Sequence, residues 1–434
     1  MRATATATVA AEGPSRPAAP PDLGLLRFLT CGSVDDGKST LIGRLLVDTR
    51  SVLTDALAAV ERTSRRRGLT AVDLSLLTDG LSAEREQGIT IDVAHRYFST
   101  GTRSYIIADA PGHEQYTRNM VTAGSTADLA IVLVDARKGV LTQTRRHACI
   151  AHLLGIPHLV VAVNKMDLVG WSREVFERIV AEARAVAAGL GIPDVRFLPL
   201  SALGGDMVVD RGERLGWYEG PTLLELLEAA PTARAGRREP FRFPVQWVCR
   251  PQTEAHHDFR GLAGRIEAGE IAVGDEVRAL PSGRASRVAA IRLGDLQLDR
   301  AVRGQSVLLQ LSDDLDVSRG DLLARPADAP APTQRVEALV CWLSERPLSP
   351  ARRYLLRHTT RETRARLEEV AWRLDLEALE RRPAEGLAVN DVGRVTLRLA
   401  QPIAADPYAV NRATGAFVLV DDATNDTVAA GMIQ

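Results

Sequence analysis

Gly32-Ser33-Val34-Asp35-Asp36-Gly37-Lys38-Ser39 is the stretch of this sequence that decides the fold. It has the G-x-x-x-x-G-K-S spacing of a phosphate-binding P-loop, with an apolar run at 25–31 before it and helix-like spacing at 40–46 after it. The order strand, glycine-rich loop, helix turns backbone N–H groups and a helix N-terminus toward a polyphosphate. We therefore predict that this loop and Thr40 bind a nucleotide. Lys38 is expected on the β and γ phosphates and Ser39 on Mg²⁺.

Lysine usage supports this interpretation. The chain has 54 lysines and arginines, but only Lys38, Lys138 and Lys165 are lysine. Arginine is not equivalent to lysine where a compact ammonium group must fit. We therefore expect the three lysines to lie at functional positions, and each falls in a motif.

Composition bounds the remaining possibilities. The 434 residues suffice for two to four domains, and 45% hydrophobic with 25% charged residues is typical of a globular protein. A net charge of −1 gives no global basic field for nucleic acid or a membrane surface, and no apolar run reaches the roughly 18 residues of a membrane span. We expect neither nucleic acid nor a membrane as partner.

Two features indicate the cellular compartment. Residues 1–24 lack the apolar core of a signal peptide, and we predict that they form a disordered tail. The four cysteines, Cys31, Cys149, Cys249 and Cys341, form no C-x-x-C pair. We expect all four to be buried small apolar residues in a cytoplasmic protein rather than disulfides or metal ligands.

A second candidate phosphate motif follows the predicted strand at 104–108. Asp109 at the end of that strand can hold Mg²⁺ through water, and Gly112 can act as a hinge whose N–H meets the γ-phosphate. His113 is either structural or, as we expect, the group that orients the attacking water. Judged alone, Thr90 could equally be a strand residue or a Mg²⁺ ligand. The neighbouring Asp109–His113 motif favours the role of Mg²⁺ ligand.

The run at 158–163 ends in Asn164-Lys165-Met166-Asp167. Asp167 can accept from N1–H and the 2-amino group of guanine, while Asn164 bonds the ring and the Lys165 stem lies along it. Adenine lacks that donor pair, so such a site discriminates by roughly 10⁴-fold. The alternative is an ordinary helix start. Ser201, Ala202 and Leu203, after a strand at 195–200, are the expected base-supporting loop.

Every motif follows a strand, which is where a doubly wound, mostly parallel α/β sheet binds ligands. We predict a buried strand at 129–134 and a helix from Ser172 whose inner face carries Val175, Ile179, Ala183 and Val186. Residues 48–85 are polar and interrupted, and the run Arg65-Arg66-Arg67 is interpreted as a solvated face.

Beyond a linker at 231–240 the pattern changes. Alternation of Phe241, Phe243, Val245, Trp247 and Cys249 with polar residues predicts a half-buried strand. Glycine-bearing turns follow and indicate a small antiparallel barrel. A second linker is expected at 325–333, and another barrel from 335, although 360–380 could be helical on periodicity alone. We divide the chain into 25–235, 236–328 and 333–434.

In combination, these motifs resemble known proteins. The P-loop with Asp35, Gly88-Ile89-Thr90 and Asp109-Ala110-Pro111-Gly112-His113 resemble translation-factor-like GTPases. Further segments resemble the large GTPase subunit of heterodimeric sulfate adenylyltransferases. These segments are 79–98, Asp135-Ala136-Arg137-Lys138-Gly139, 143–147, 217–224, Asp258-Phe259-Arg260-Gly261, 280–283, 411–417 and 427–432.

The resemblance implies a GTPase domain followed by two antiparallel β-barrels, with strands rather than a helix at 360–380. It also implies a GTP- and Mg²⁺-dependent enzyme subunit in a heterodimer. The smaller partner joins ATP and sulfate into adenosine 5′-phosphosulfate and pyrophosphate, and GTP hydrolysis on this chain drives that uphill product. Asp35 is then expected to help hold a cation or the loop. The alternatives are an elongation-type GTPase that delivers aminoacyl-tRNA and a GTP-dependent regulatory switch.

Overall fold

The computed structural model describes residues 24–66, 68, 72–77, 93–113, 117–231, 239–250, 259–375 and 378–434. The predictions for Thr90, for nearly all of the amino-terminal tail and for most of the linker at 231–240 lie outside these residues.

A six-stranded sheet forms the amino-terminal part. Its strands are β1 (Leu25–Gly32), β2 (Ala94–Ser99), β3 (Ser104–Asp109), β4 (Leu129–Asp135), β5 (His158–Asn164) and β6 (Val195–Pro199). The order is β2-β3-β1-β4-β5-β6, and only β2 runs antiparallel to its neighbour. Every residue of β4 is buried, as expected for a strand covered on both faces. The predicted doubly wound, mostly parallel sheet is confirmed.

Helices cover both faces of the sheet. They are α1 (Lys38–Asp48), α2 (Thr54–Arg66), α3 (Thr117–Gly124), α4 (Thr142–Leu153), α5 (Arg173–Leu190) and α6 (Leu223–Ala229). Short 3-10 helices lie at Leu74–Leu77, Met166–Val169 and Pro326–Asp328. No apolar periodicity indicated α2, because only Val60 and Ser64 of that helix are buried. Arg65 and Arg66 on it are exposed, as predicted.

The helix predicted from Ser172 is α5. The Ser172 hydroxyl accepts a hydrogen bond from Val175 N at 3.3 Å, and Gly191 ends the helix with φ +72°. The predicted inner face is shifted, because Phe176 and Ala187 are buried beside Ile179 and Ala183 while Val175 and Val186 are only half-buried. The Phe176 ring takes the inner position and packs on Trp217, with ring centroids 5.5 Å apart.

Nine strands follow in the central part: β7 (Arg242–Cys249), β8 (Gly261–Arg265), β9 (Glu270–Ala272), β10 (Glu276–Leu280), β11 (Ala285–Leu293), β12 (Leu296–Leu298), β13 (Arg300–Val302), β14 (Ser306–Leu311) and β15 (Leu322–Ala324). The ring β10-β15-β7-β8-β14-β11 closes through β10–β11 pairing, and all pairs are antiparallel. The first predicted barrel is confirmed.

The alternation predicted for β7 is wrong in its second half. The pairing of β7 with β8 shifts register between Val245 and Trp247, and a bulge of this kind turns the following side chains to the other face. Trp247 is consequently 63% exposed and Val248 packs against the barrel core instead. Cys249 is half-buried rather than buried, whereas the other three cysteines are buried and all four are free thiols.

The last part is a second closed barrel. Its strands are β16 (Pro332–Trp342), β17 (Tyr354–His358), β18 (Arg361–Asp375), β19 (Glu380–Arg382), β20 (Val392–Ala404), β21 (Ala416–Asp421) and β22 (Thr427–Ile433), with helix α7 (Arg412–Gly415). Residues 361–375 are strand, as the resemblance implied, and burial of Thr363, Ala365 and Leu367 shows a period of two. Within the linker expected at 325–333, the structure has the 3-10 turn Pro326–Asp328 and then three residues outside helix and strand before β16 begins at Pro332.

The second barrel packs against the amino-terminal part. Tyr408 Oη donates to Leu154 O at 3.0 Å, and the Arg412 guanidinium donates to Ala127 O at 2.8 Å and to Gly155 O. Tyr408 and Cys341 belong to the same buried cluster as the apolar residues of α4 and α5.

One arginine joins the two barrels. The Arg242 side chain is 3% exposed, and its guanidinium pairs with both carboxylate oxygens of Asp406 at 2.9 Å. It also donates to Phe241 O at 2.9 Å and to the carboxylate and carbonyl of Asp328 at 3.0 and 2.6 Å. All five guanidinium N–H groups therefore have an acceptor.

None of the helices in the described part of the chain combines the length and the apolar character that a membrane crossing requires.

Candidate functional site

The glycine-rich loop connects β1 to α1. Gly37 precedes the helix at φ +90°, and a Cβ there would lie 2.4 Å from Asn164 Nδ2, so only glycine fits. Asp35 has φ +69°, a left-handed conformation that aspartate tolerates better than most residues. Ser33, Ser39 and Thr40 are half-buried, and Val34 and Asp35 are exposed. The loop thus lies at the N-terminus of α1 with its tip, Val34 and Asp35, exposed.

Lys38 connects the loop to β3. Its Nζ donates to Ala110 O at 2.7 Å and lies 3.0 Å from Asp109 Oδ1, and both side chains are at least nine-tenths buried. The structure thereby brings together the P-loop lysine and the strand-end aspartate that the sequence predicted separately.

Gly112 lies directly against the loop. A Cβ on Gly112 would approach Gly32 O to 2.4 Å, so no side chain fits at this position. His113, the next residue, is exposed. The structure thus places Gly112 against the loop, with His113 exposed on the segment that follows Asp109.

Sequence reasoning missed the group that holds Gly112. Gln143 Nε2, on α4, donates to Gly112 O at 3.2 Å, and Gln143 Oε1 accepts from Arg146 at 3.1 Å. Gln143 Nε2 also lies 3.2 Å from Nε2 of His147, which is buried. Because burial lowers the pKa of His147 to about 3, its ring is neutral. Two signals were available: segment 143–147 is part of the family resemblance, and Gln143, Arg146 and His147 share one helix face at spacings of three and four.

Asn164 is the connection between the loop and the second binding segment. Its Nδ2 donates to Asp36 O at 2.8 Å, and its Oδ1 accepts from the backbone N of Lys165 at 2.8 Å and of Ala202 at 2.9 Å. A single buried amide therefore fixes the relative positions of the P-loop, the Asn164–Asp167 segment and the 201–203 loop.

Asp167 and the 201–203 loop form the rim of this segment. Asp167 Oδ1 accepts from Ser201 Oγ at 2.7 Å, and Ser201 Oγ accepts from Gly204 N at 3.1 Å. Leu203 and Leu168 are each 55% exposed beside it. The helix-start alternative is also correct locally, since Met166–Val169 is a 3-10 helix preceded by Lys165 at φ +63°.

Asp36 has a role that the sequence did not indicate. It is buried within the loop, and its carboxylate accepts from Ser33 N at 2.7 Å. Burial raises the pKa of Asp36 to about 6, although the Ser33 hydrogen bond and the charges of Lys138 and Lys165 lower it.

The described residues contain no cluster of three or more His, Cys, Asp or Glu side chains that could hold a metal ion. The Ser39 hydroxyl at the start of α1 and the Asp109 carboxylate, 3.0 Å from Lys38 Nζ, are ligand types suited to a hard cation.

Comparison with known proteins gives two family matches. Residues 24–232 match the elongation factor Tu GTP binding domain, and residues 335–434 match the GTP-eEF1A C-terminal domain-like family. The amino-terminal part is therefore a GTP-binding domain of the elongation-factor type.

Relatives that match nearly the whole chain include sulfate adenylyltransferase subunits. Sulfate adenylyltransferase subunit 1 of Cellvibrio japonicus (strain Ueda107) is 53% identical over 411 residues, which cover 94% of this chain and 86% of that protein. The bifunctional enzyme CysN/CysC of Mycobacterium tuberculosis (strain CDC 1551 / Oshkosh) is 53% identical over 94% of this chain and 67% of its own length. Among solved structures, sup35 complexed with GMPPNP is 25% identical, covers 96% of this chain and 95% of its own, and has a TM-score of 0.42. With half of its residues identical across nearly its whole length, the chain belongs to the sulfate adenylyltransferase subunit 1 family.

Proposed function

We propose that this chain is the GTP-hydrolysing subunit of a sulfate adenylyltransferase. GTP hydrolysis here is coupled to the formation of adenosine 5′-phosphosulfate and pyrophosphate from ATP and sulfate. The observation that carries the proposal is that Lys38 meets Asp109, Asn164 meets the P-loop and Asp167 meets Ser201, in a chain whose relatives are sulfate adenylyltransferase subunits.

The phosphate end of the site fits a nucleoside triphosphate. We assign backbone N–H groups of the loop at the N-terminus of α1 to the phosphates, and Lys38, which is buried, contributes a positive charge at the β and γ phosphates. Gly112 offers its N–H to the γ-phosphate and hinges the segment after it. Exposed His113 orients the attacking water.

Mg²⁺ fits the same end of the site. We assign it to the Ser39 hydroxyl, to Asp109 through water and to Thr90. A bound Mg²⁺ would neutralise charge that develops on the β and γ phosphate oxygens. Asp35, on the exposed side of the loop, helps to hold a cation or the loop itself.

The base end selects guanine. Asp167, already held at one oxygen by Ser201, accepts from N1–H and the 2-amino group, while Asn164 and Lys165 bind the ring. Leu203 and Ala202 support the opposite side. An adenine would leave the carboxylate without donors, which disfavours it by roughly 10⁴-fold.

The partner is a smaller subunit that binds ATP and sulfate and carries out adenylyl transfer, and the two form a heterodimer. We place the pair in the cytoplasm, where free thiols such as the four of this chain stay reduced. We keep the domain division 25–235, 236–328 and 333–434 as part of the proposal. Overall similarity favours this function over delivery of aminoacyl-tRNA, which would use the same GTP motifs.

The test is a coupled assay with the purified pair, ATP, sulfate and GTP. We expect adenosine 5′-phosphosulfate to accumulate only while GTP is consumed, because the product is uphill without that hydrolysis. The control is the pair carrying Asp167→Ala, in which GTP should no longer stimulate product formation at concentrations that saturate the wild type. Product formation that ignores GTP, or tRNA protection of bound GTP with no response to sulfate, would refute the proposal.

A further inference from the structure

A buried carboxylate lies beneath the base-binding segment and has no part in the function described so far. Asp135 is the last residue of β4, and its side chain is fully buried. In the β4–β5 pairing Asp135 lies opposite Asn164, so Lys165 follows immediately beyond it. This register places the Asp135 carboxylate and the Lys165 side chain at the same edge of the sheet.

Asp135 binds two cations at once. Arg137 donates to it three times, from its backbone N at 3.0 Å, from Nε at 3.0 Å and from Nη2 at 2.7 Å. Lys165 Nζ lies 3.0 Å from Asp135 Oδ2 and also donates to Asp35 O in the P-loop. The Lys165 stem therefore spans from β5 to the phosphate loop with its ammonium held at the far end.

The electrostatics keep this arrangement intact at working pH. Burial alone would raise the pKa of the Asp135 carboxyl, but the hydrogen bonds from Arg137 and Lys165 outweigh burial and hold that pKa well below its usual range. Asp135 is consequently ionised at neutral pH. A lysine without such a partner would turn its ammonium toward bulk water.

We infer that Asp135 is a positioning residue for the guanine nucleotide: it holds the Lys165 side chain stretched across to the P-loop, so that the stem forms a fixed wall for the face of the base. The inference rests on the proposed nucleotide site. It explains why position 165 is one of only three lysines, since a compact ammonium can meet a carboxylate and a backbone carbonyl at once whereas a planar guanidinium fits poorly.

The advantage of the arrangement is preorganisation. A lysine side chain loses much rotamer freedom when it is ordered, and that loss weakens binding if it occurs only when the ligand arrives. With Asp135 and Asp35 O in place, Lys165 is ordered in the folded protein, with its side chain 23% exposed. Guanine nucleotides then meet a surface that needs no rearrangement.

The experiment measures the dissociation rate of a fluorescent guanosine diphosphate by stopped flow in four proteins: wild type, Asp135→Asn, Lys165→Met and the double variant. We expect Asp135→Asn to accelerate dissociation by about tenfold, the effect of losing one charge-assisted hydrogen bond. Because Asp135 acts through Lys165, the double variant should dissociate no faster than Lys165→Met alone. An Asp135→Asn rate within about twofold of wild type, or single effects that multiply in the double variant, would overturn the inference.

Two further measurements separate positioning from a general loss of structure. The ratio of guanosine to inosine diphosphate affinities should be the same in Asp135→Asn and wild type, because Asp167 reads the base edge while Lys165 covers its face. A collapsed segment would move that ratio toward one and contradict the inference. Arg137→Met, which leaves the Asp135–Lys165 contact in place, should keep dissociation within about twofold of wild type, and a rate as fast as that of Asp135→Asn would also contradict it.

If Asp135→Asn does not fold, the pair Asp135→Asn/Arg137→Met removes the carboxylate together with the guanidinium that it holds and provides the same comparison. The proposed function and the role of Asp135 would fail in different ways. A wild type that fails to bind guanosine diphosphate refutes the proposed function, whereas a wild type that binds it and an unaltered Asp135→Asn refute only the role of Asp135.

Discussion

Asp36 shows how a single residue of the loop can carry a pH dependence. Its carboxyl is buried, and among the described residues only one of its two oxygens has a hydrogen-bond partner, Ser33 N. Burial raises the pKa of this group from 3.8 to about 6 in the folded chain. Between those two values the folded chain holds a proton that the unfolded chain has released, so the free energy of unfolding falls as pH rises through this window.

We therefore expect Asp36→Asn to stabilise the nucleotide-free protein at neutral pH and not under acid conditions. The pKa of Asp36 is raised by about two units, and each unit corresponds to 1.36 kcal/mol. The substitution should therefore raise the free energy of unfolding by at most about 3 kcal/mol. Urea unfolding of the variant and the wild type from pH 4 to 7.5 measures it. The difference between the two proteins should grow with pH and level off above pH 6, and a difference that is constant across this range would contradict the explanation.

At the residue scale, motif spacing predicted the residues of the candidate site but not the residues that hold them in place. The motifs predicted that Lys38, Asp109, Asn164 and Ala202 lie at or just past strand ends, but they gave no distances between these residues. In the structure Lys38 Nζ lies 3.0 Å from Asp109 Oδ1, and Ala202 N lies 2.9 Å from Asn164 Oδ1. Gln143 was not identified as a site residue because it acts on Gly112 from a helix 31 residues away. A contact between distant positions leaves no local pattern in one sequence.

At the scale of the element, α6 is a short helix whose start is secured by side chains. Thr222 Oγ1 accepts from Glu225 N at 3.2 Å, and Glu225 Oε2 accepts from Thr222 N at 2.7 Å. This reciprocal pair satisfies two backbone donors at the first turn. Leu223 and Leu227 of the same helix are fully buried against the sheet, so the helix start is tied to the core.

Thr222→Ala should lower the free energy of unfolding by about 1 kcal/mol, the usual loss for a capping residue. Chemical denaturation of the isolated chain provides the measurement. Thr63→Ala is the matched control, since Thr63 lies exposed in α2 and its hydroxyl donates to Ala59 O, four residues back, at 2.9 Å. Its effect should stay near zero, and equal losses in the two variants would contradict a specific capping role.

Elements were predictable where one force dominates. The apolar run at 129–134 and the capped helix α5 were readable because burial and capping leave strong local patterns. The second half of β7 was not, because the bulge after Val245 depends on the partner strand β8. Strand β18 needed the family resemblance, since its central residues Glu368, Glu369 and Val370 interrupt the alternation where the pairing with β20 shifts.

At the scale of the whole molecule, Arg242 is the clearest test of how the barrels are held together. Its removal leaves the Asp406 carboxylate buried, with the Thr414 hydroxyl as its remaining side-chain donor. Breaking a buried ion pair from one side typically lowers stability by about 3–5 kcal/mol.

We expect Arg242→Met to lower the free energy of unfolding by about that amount, and Arg242→Met with Asp406→Asn to recover part of it, since no buried charge then remains. Differential scanning calorimetry of both variants measures the change. Arg300→Met, which removes an exposed guanidinium paired with Glu270 at 3.3 Å, is the control and should change stability by less than about 1 kcal/mol. A double variant less stable than Arg242→Met would contradict the buried-charge explanation.

The distribution of lysines has a practical consequence for labelling. Lys38 is buried and Lys165 is half-buried between two oxygen acceptors, whereas Lys138 is exposed on the turn that follows β4. An amine-reactive dye at low stoichiometry therefore has one accessible side-chain target within the described chain. A fluorophore attached there would report nucleotide arrival and departure without any engineered cysteine.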